Sequence, residues 1–191
     1  MTTTTQTKTN NPLPINTVDT APEAAKPALE GAQKMLGFVP NLYGMLSNNP
    51  TTLDAYLYLS KALEKSGLNA LEQQVVLLTV SIENSCEYCV AAHSAIAGMM
   101  KLPESVVQAL RNRQPIVDDK LESLRSFTAT VVQQRGHLKD EQVSDFLAAG
   151  YNGSTILAVI TAVALKTISN YANHIANTPL DDAFQAHSWS A

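Results

Sequence analysis

Along this chain apolar residues recur three and four positions apart, in segments separated by Gly, Pro and Asn. That is the spacing of helices that each bury one face. Asp19 or Thr20, with Pro22 in the opening turn, begins a first helix that runs to Gly37. Asn41 to Leu46 reads as a helical turn after Pro40. Asn49-Pro50 opens a helix to about Lys65, whose Leu53, Tyr56, Leu57, Leu59 and Leu63 form a broad apolar stripe suited to core packing. Gly67 ends it. The next helix starts at Asn69, where Glu72 three residues on completes a capping-box signature. From Val75 to Val80 the run is apolar on nearly every side, which predicts a helix in the middle of a bundle. A break over Ser81 to Ser85, with Asn84 or Ser85 as N-cap, precedes a helix reaching about Met100. Met99 and Met100 are expected to fill a core gap.

Leu102-Pro103-Glu104 restarts the chain as a helix to Arg111, and a polar hinge from Asn112 to Asp119 divides it. Beyond the hinge the pattern predicts helices from Leu121 to Arg135 and from Lys139 to Ala149, closed by Gly136 and Gly150. A long helix capped by Asn152 or Ser154 then runs through Ile156 to the neighbourhood of Ile175. The fold class implied is all-α, a bundle of antiparallel helices joined by short loops, with a second half that loosely echoes the first as two degenerate helical repeats would. Three regions follow: a Thr- and Asn-rich arm over 1–17, disordered or lying on a neighbouring subunit; a helical domain over 18–179; and a tail over 180–191. The tail's Phe184 and Trp189 favour docking on the body or on a partner.

Composition narrows the function more than the fold. The 191 residues are 45% hydrophobic and 16% charged with a net charge of −4, and no basic stripe for nucleic acid appears. The N-terminus has neither a signal nor a transit pattern, and the apolar stretch from Ile156 to Leu165 stops at Lys166, short of a bilayer span, so a cytoplasmic protein is expected.

Both cysteines fall in one short segment, Cys86-Glu-Tyr-Cys89-Val-Ala-Ala-His93. On a helix, Cys86 and His93 lie about 20° apart around the axis and Cys89 about 40° from His93, so all three share a face. A CxxC at a helix start brings two sulfurs within disulfide reach, where unpaired N–H groups and the helix dipole favour a thiolate. His93, one turn after Cys89, is placed to act as a base or proton carrier. The same residues also admit a structural disulfide, a zinc site of Cys86, Cys89 and His93, or an inert buried cluster. Glu83 beside the thiols could serve as a relay carboxylate, whereas the capping box gives Glu72 a structural role. Tyr88 could donate a hydrogen bond to a bound oxygen or simply pack in the core. Arg111 and Arg113 could bind a carboxylate or act as helix-end cations. Asn170, Tyr171, Asn173 and His174 form a polar cluster, either helix-end surface or a second wall of the cleft.

The run from Glu72 to His93, Glu-Gln-Gln-Val-Val-Leu-Leu-Thr-Val-Ser-Ile-Glu-Asn-Ser-Cys-Glu-Tyr-Cys-Val-Ala-Ala-His, resembles the core of the carboxymuconolactone decarboxylase and alkylhydroperoxidase D superfamily, in its CxxC-xxx-H branch. The resemblance is close over residues 69–112, and Gly37-Phe-Val-Pro-Asn-Leu-Tyr43 is similar to the peroxidase-related members. It implies a helical, homo-oligomeric thiol peroxidase acting on hydroperoxides, with Cys89 as the attacking thiol, Cys86 as the resolving one and His93 in a proton relay. A dithiol or thioredoxin-like reductant would reset it, with no cofactor. Two positions depart from the alkylhydroperoxidase pattern: the relay glutamate is replaced by Gln74, which cannot take a proton at neutral pH, and the histidine before the second cysteine by Tyr88. Glu72 or Glu83 would have to substitute. The rival expectations are a lactone decarboxylase of the wider superfamily and a redox-sensing or zinc-binding protein.

Overall fold

A computed structural model describes residues 11–191. Among them lie nine α-helices and no strand: α1 (Lys26–Leu36), α2 (Asn41–Leu46), α3 (Pro50–Glu64), α4 (Ala70–Glu83), α5 (Glu87–Met99), α6 (Glu104–Arg111), α7 (Asp119–Gln134), α8 (Asp140–Ala148) and α9 (Gly153–Ala176), with 3-10 turns at Glu23–Ala25 and Asp182–His187. The ends follow local chemistry. Asn49, Asn69, Asp118 and Asn152 each cap a helix by accepting a backbone N–H, and Asn69 and Glu72 form the full capping box. Gly37 closes α1 at φ 85°, in the left-handed region where a Cβ would be strained.

The run that is apolar on every side becomes the central helix. α4 packs against α5, α7 and α9, and Val75, Val76, Leu78 and Val80 on it are wholly buried. Each contributes roughly 1.5–3 kcal/mol by leaving water. A stack of Phe127 on Phe146 on Tyr151, with centroids 3.9 and 4.7 Å apart, ties α7 and α8 to the start of α9. The Tyr151 hydroxyl then donates to Glu72 at 3.3 Å and links that layer to the start of α4.

α9 is long and apolar enough, by length and composition alone, to cross a membrane, which the shorter stretch ending at Lys166 did not suggest. Its inner face nevertheless carries Lys166, Ser169, Asn170 and Asn173, all buried against the bundle, where α9 packs on α3 and α4. The expected N-terminal arm is described from Asn11 onward. There it lies along the body: Asn11 Nδ2 donates to the Ala176 carbonyl at 3.1 Å, and Asn16 N–H donates to that of Gly44 at 3.1 Å. The part of the arm before Asn11 lies outside the described residues.

The C-terminal tail docks on the body. Phe184 is buried edge-on against Phe38 and Tyr88, and the Trp189 indole donates to the Arg111 carbonyl at 2.9 Å. Arg111 in turn donates to the carbonyls of His187 and Ser188 and to Ser94 Oγ. It is therefore a clamp on the tail, not a free carboxylate binder. Arg113 donates to the Ile82 carbonyl at 3.3 Å and lies over the Trp189 ring. Met99 and Met100 do not fill a core gap: Met99 is 68% exposed, and the two stand at the C-terminal end of α5 as its last residue and its C-cap.

Asn69→Ala removes the cap of the helix that backs the whole bundle. Urea unfolding is expected to show a loss of about 1 kcal/mol, and an unchanged midpoint would contradict the structural role assigned to this box.

Candidate functional site

α5 begins where α4 ends, and the turn between them decides how the thiols sit. Ser85 takes a left-handed conformation at φ 54°, and Cys86 rather than Asn84 or Ser85 is the N-cap, with extended backbone. Cys86 thus stands just outside the helix. The wheel argument holds for Cys89 and His93, while Cys86 reaches the same place through the turn. Both cysteines are free thiols and buried, Cys89 at 2% exposure.

α9 supplies the opposite wall. The Asn173 amide N–H group donates to Cys89 Sγ at 3.4 Å and to Cys86 Sγ at 3.9 Å, and Ser169 Oγ lies 3.8 Å from Cys89 Sγ. One turn further back on the same face, Lys166 is 1% exposed and lines the same cavity as Cys89 and His93. The polar cluster near the end of α9 is therefore split. Asn173 faces the thiols, and Asn170 is buried, accepting from Asn84 Nδ2 at 2.9 Å. Tyr171 and His174 point to the surface.

The two thiols differ sharply. Cys86 is held well above the ordinary thiol range, because its proton is shared toward Cys89 and because it is buried. Burial also opposes ionisation of Cys89, but the hydrogen bond from Cys86, the charge of Lys166 and the Ser169 hydroxyl outweigh it, so its thiol lies well below that range. The pair loses one proton easily, from Cys89, and the second with difficulty. His93 is pushed well below its usual value by burial and then by Lys166, so its imidazole is neutral.

No carboxylate completes a relay here. Gln74 stands where the relay glutamate was expected and reaches His93, with Oε1 3.0 Å from Nδ1. As the amide oxygen can only accept, it fixes Nδ1 as the protonated nitrogen. Glu72 is spent on its capping box and on Tyr151, and Glu83 accepts from Gln133 of α7 at 2.8 Å, away from the thiols. Both candidate substitutes are thereby excluded from direct contact with His93. Tyr88 turns its hydroxyl to Asp181 of the tail, donating at 2.5 Å and accepting from Leu42 N–H at 3.2 Å, so its ring and not its hydroxyl belongs to the site. Burial, then that bond, raise its pKa. Among the described residues no group of three or more His, Cys, Asp and Glu is placed to hold a metal ion.

Above Cys89 and His93 opens a cavity of about 410 Å³, walled by Leu36, Phe38, Tyr56, Ile96, Met99 and Phe184. Lys166 and His187 also line it, and among the described residues no carboxylate does. Sequence reasoning placed Tyr56 in the core stripe. It is buried, and it also forms the α3 side of this cavity. Lys166 was visible in the sequence only as the residue that interrupts an apolar run.

An ultraviolet titration of the reduced protein is expected to show one thiolate surviving well below the ordinary thiol value of about 8.5. That signal should vanish in Cys89→Ser and remain in Cys86→Ser, where a hydroxyl can still donate. Two thiols titrating together near the ordinary value would contradict the asymmetry.

Residues 50–130 match the carboxymuconolactone decarboxylase family. No curated protein matches the sequence. Among solved structures, the chain superposes on an alkylhydroperoxidase AhpD core, an uncharacterized peroxidase-related protein from Ralstonia eutropha JMP134, with a TM-score of 0.80 and 22% identity, covering 90% of this chain and 92% of that one. A peroxidase-related protein from Silicibacter sp. TM1040 gives 0.79 at 20% identity, covering 92% and 93%. The debrominase Bmp8 gives 0.73 at 19%, covering 86% and 90%. The thiol turn and the helix behind it lie inside the matched segment, and the superposition extends over nearly all the remaining helices: the chain is similar to the carboxymuconolactone decarboxylase family over residues 50–130 and shares the helical fold of the alkylhydroperoxidase AhpD core.

Proposed function

We propose that this protein is a thiol-dependent hydroperoxide reductase that works through a Cys86–Cys89 disulfide cycle. The observation that carries the reading is the buried, asymmetric thiol pair whose Cys89 lines an apolar cavity, with Cys89 biased to the thiolate and Cys86 held protonated beside it. A thiolate attacks the terminal oxygen of a hydroperoxide, the O–O bond breaks, and the alkoxide leaves as alcohol once protonated. Cys89 is then a sulfenic acid. Cys86 gives up its proton as its sulfur attacks, the S–S bond forms, and hydroxide departs with that proton as water. Two electrons have passed from the thiols to the peroxide.

His93 acts here as a neutral group. With Nδ1–H committed to Gln74, its other nitrogen is an acceptor that can hold the peroxide O–H against Cys89. Return to the dithiol requires an external dithiol, of thioredoxin-like kind, in the cytoplasm. Self-association is part of the same proposal, supported by the exposed apolar side of α9, where Leu157, Ile160, Tyr171 and Ile175 face outward at helical spacing. The lactone decarboxylase alternative is less well supported, since it leaves the polarised thiol pair without use.

A second reading, reductive dehalogenation of a small haloaromatic, is favoured by the cavity, whose aromatic and aliphatic walls would accept a flat apolar ring above the thiolate. A structure of Bmp8 has been obtained with 2,3,4-tribromopyrrole, but that likeness bears on the fold alone. The same two electrons would be delivered to a halogen instead of an oxygen.

Stopped-flow oxidation of the reduced protein by an organic hydroperoxide decides the matter. We expect consumption of one equivalent, formation of the internal disulfide, arrest at the sulfenic acid in Cys86→Ser and no fast phase in Cys89→Ser. Oxidation no faster than that of an exposed cysteine would overturn the reading, and halide release from a bromopyrrole in its place would establish the second.

A further inference from the structure

α9 buries one lysine, and its surroundings are unusual. Lys166 is 1% exposed, and among the described residues it makes no ion pair with a carboxylate. Burying a cation is costly unless an anion lies beside it. The titratable groups that face this point are Cys89 and His93 from α5, Cys86 at its N-cap, Tyr56 from α3, and Tyr43, Tyr88 and His187 around the cavity. Burial raises the three tyrosines, which stay neutral, and His93 is neutral as well. The cysteine pair is what remains to carry negative charge. Lys166, Ser169 and Asn173 also fall on one strip of α9, and the latter two reach Cys89 Sγ at 3.8 and 3.4 Å. That strip presents a cation and two hydrogen-bonding groups to a single sulfur.

We infer that Lys166 is a catalytic residue of this site: its ammonium is the counter-ion of the Cys89 thiolate and the acid that protonates the departing alkoxide, in place of a carboxylate–histidine relay. The inference rests on the peroxidase reading for its second half. Gln74 cannot donate or accept a proton at neutral pH, so His93 lacks a charged partner, and the charge that the site needs comes from the opposite helix. The proton balance closes over a turnover. Thiolate and ammonium meet the hydroperoxide; the sulfenic acid and alkoxide form; the ammonium gives its proton to the alkoxide and becomes an amine. Resolution by Cys86 releases water. When an external dithiol reduces the disulfide, two thiols return, and the Cys89 proton passes to the amine to restore the thiolate–ammonium pair.

The test uses the full chain in a Cys86→Ser background, so that Cys89 is the sole thiol. Lys166→Met and Lys166→Gln remove the charge, and Lys166→Arg keeps it. Thiolate absorbance against pH and alkylation by iodoacetamide read the first role without any peroxide. We expect the Met and Gln variants to need a pH at least about one unit higher for half ionisation, with alkylation at a pH below both titrations about tenfold slower, and Arg to recover most of the loss. Thermal unfolding should show Lys166→Met less stable than its parent where Cys89 is ionised and closer to it at low pH, where the thiol is neutral, since removing one partner of a buried ion pair leaves the other charge uncompensated. The second role is read by the hydroperoxide rate divided by the thiolate fraction. It should fall further in Lys166→Met, whereas the alkylation rate so corrected should not. An unshifted titration in folded Met and Gln variants overturns the counter-ion role, and an equal corrected rate for both reagents overturns the acid role. A shifted titration without hydroperoxide reduction in the parent would retain the counter-ion and reject the peroxidase reading.

Discussion

The site depends on the polar strip of one otherwise apolar helix meeting two sulfurs at the start of another. Buried thiols in an apolar bundle would be protonated and inert, because a thiolate in low dielectric is costly without partners. Asn173 donates to Cys89, the Ser169 hydroxyl lies beside the same sulfur, Lys166 offers charge, and Cys86 shares its own proton. These contributions act on Cys89 more than on its neighbour, so the pair is split into an ionised and a protonated member. A disulfide cycle needs that division of labour.

The rest of the bundle holds this meeting in place. α4 lies behind both elements, and its capping box and buried Val and Leu residues fix where α5 begins. The left-handed Ser85 turns the chain so that Cys86 caps α5 and remains beside Cys89. On the other side of the cavity the tail is tied down by Arg111, by Trp189 and by Asp181, which accepts from Tyr88 and from the Asn41 backbone. Phe184 thereby becomes a cavity wall. The region that looked like a loose end of the sequence is thus part of the binding space.

Much of the helix order was legible because its signals are local. Asn69 with Glu72, Asn49 before Pro50, Asn152, and glycine at 37 each mark an end by a bond or a dihedral angle that involves neighbours in sequence. The thiol segment was legible for the same reason, since CxxC and the histidine one turn later lie on or beside one short helix. What escaped depends on distant contacts. Cysteine is not a favoured N-cap, so the start of α5 was placed one or two residues early. Glu83 could be given a role at the thiols only until α7 brought Gln133 to it. Met99 and Met100 have the composition of core residues, and their exposure follows from where α5 sits. Lys166 lies far from the cysteines in sequence, and nothing in its own neighbourhood separates a cation that serves a thiolate from one that ends an apolar stretch.

The most direct measurement is the order in which the two cysteines of the reduced wild-type protein are alkylated, read by peptide mass spectrometry after brief exposure to iodoacetamide at mildly acidic pH. The account predicts label on Cys89 with Cys86 left free. Label appearing first on Cys86, or equally on both, would contradict it.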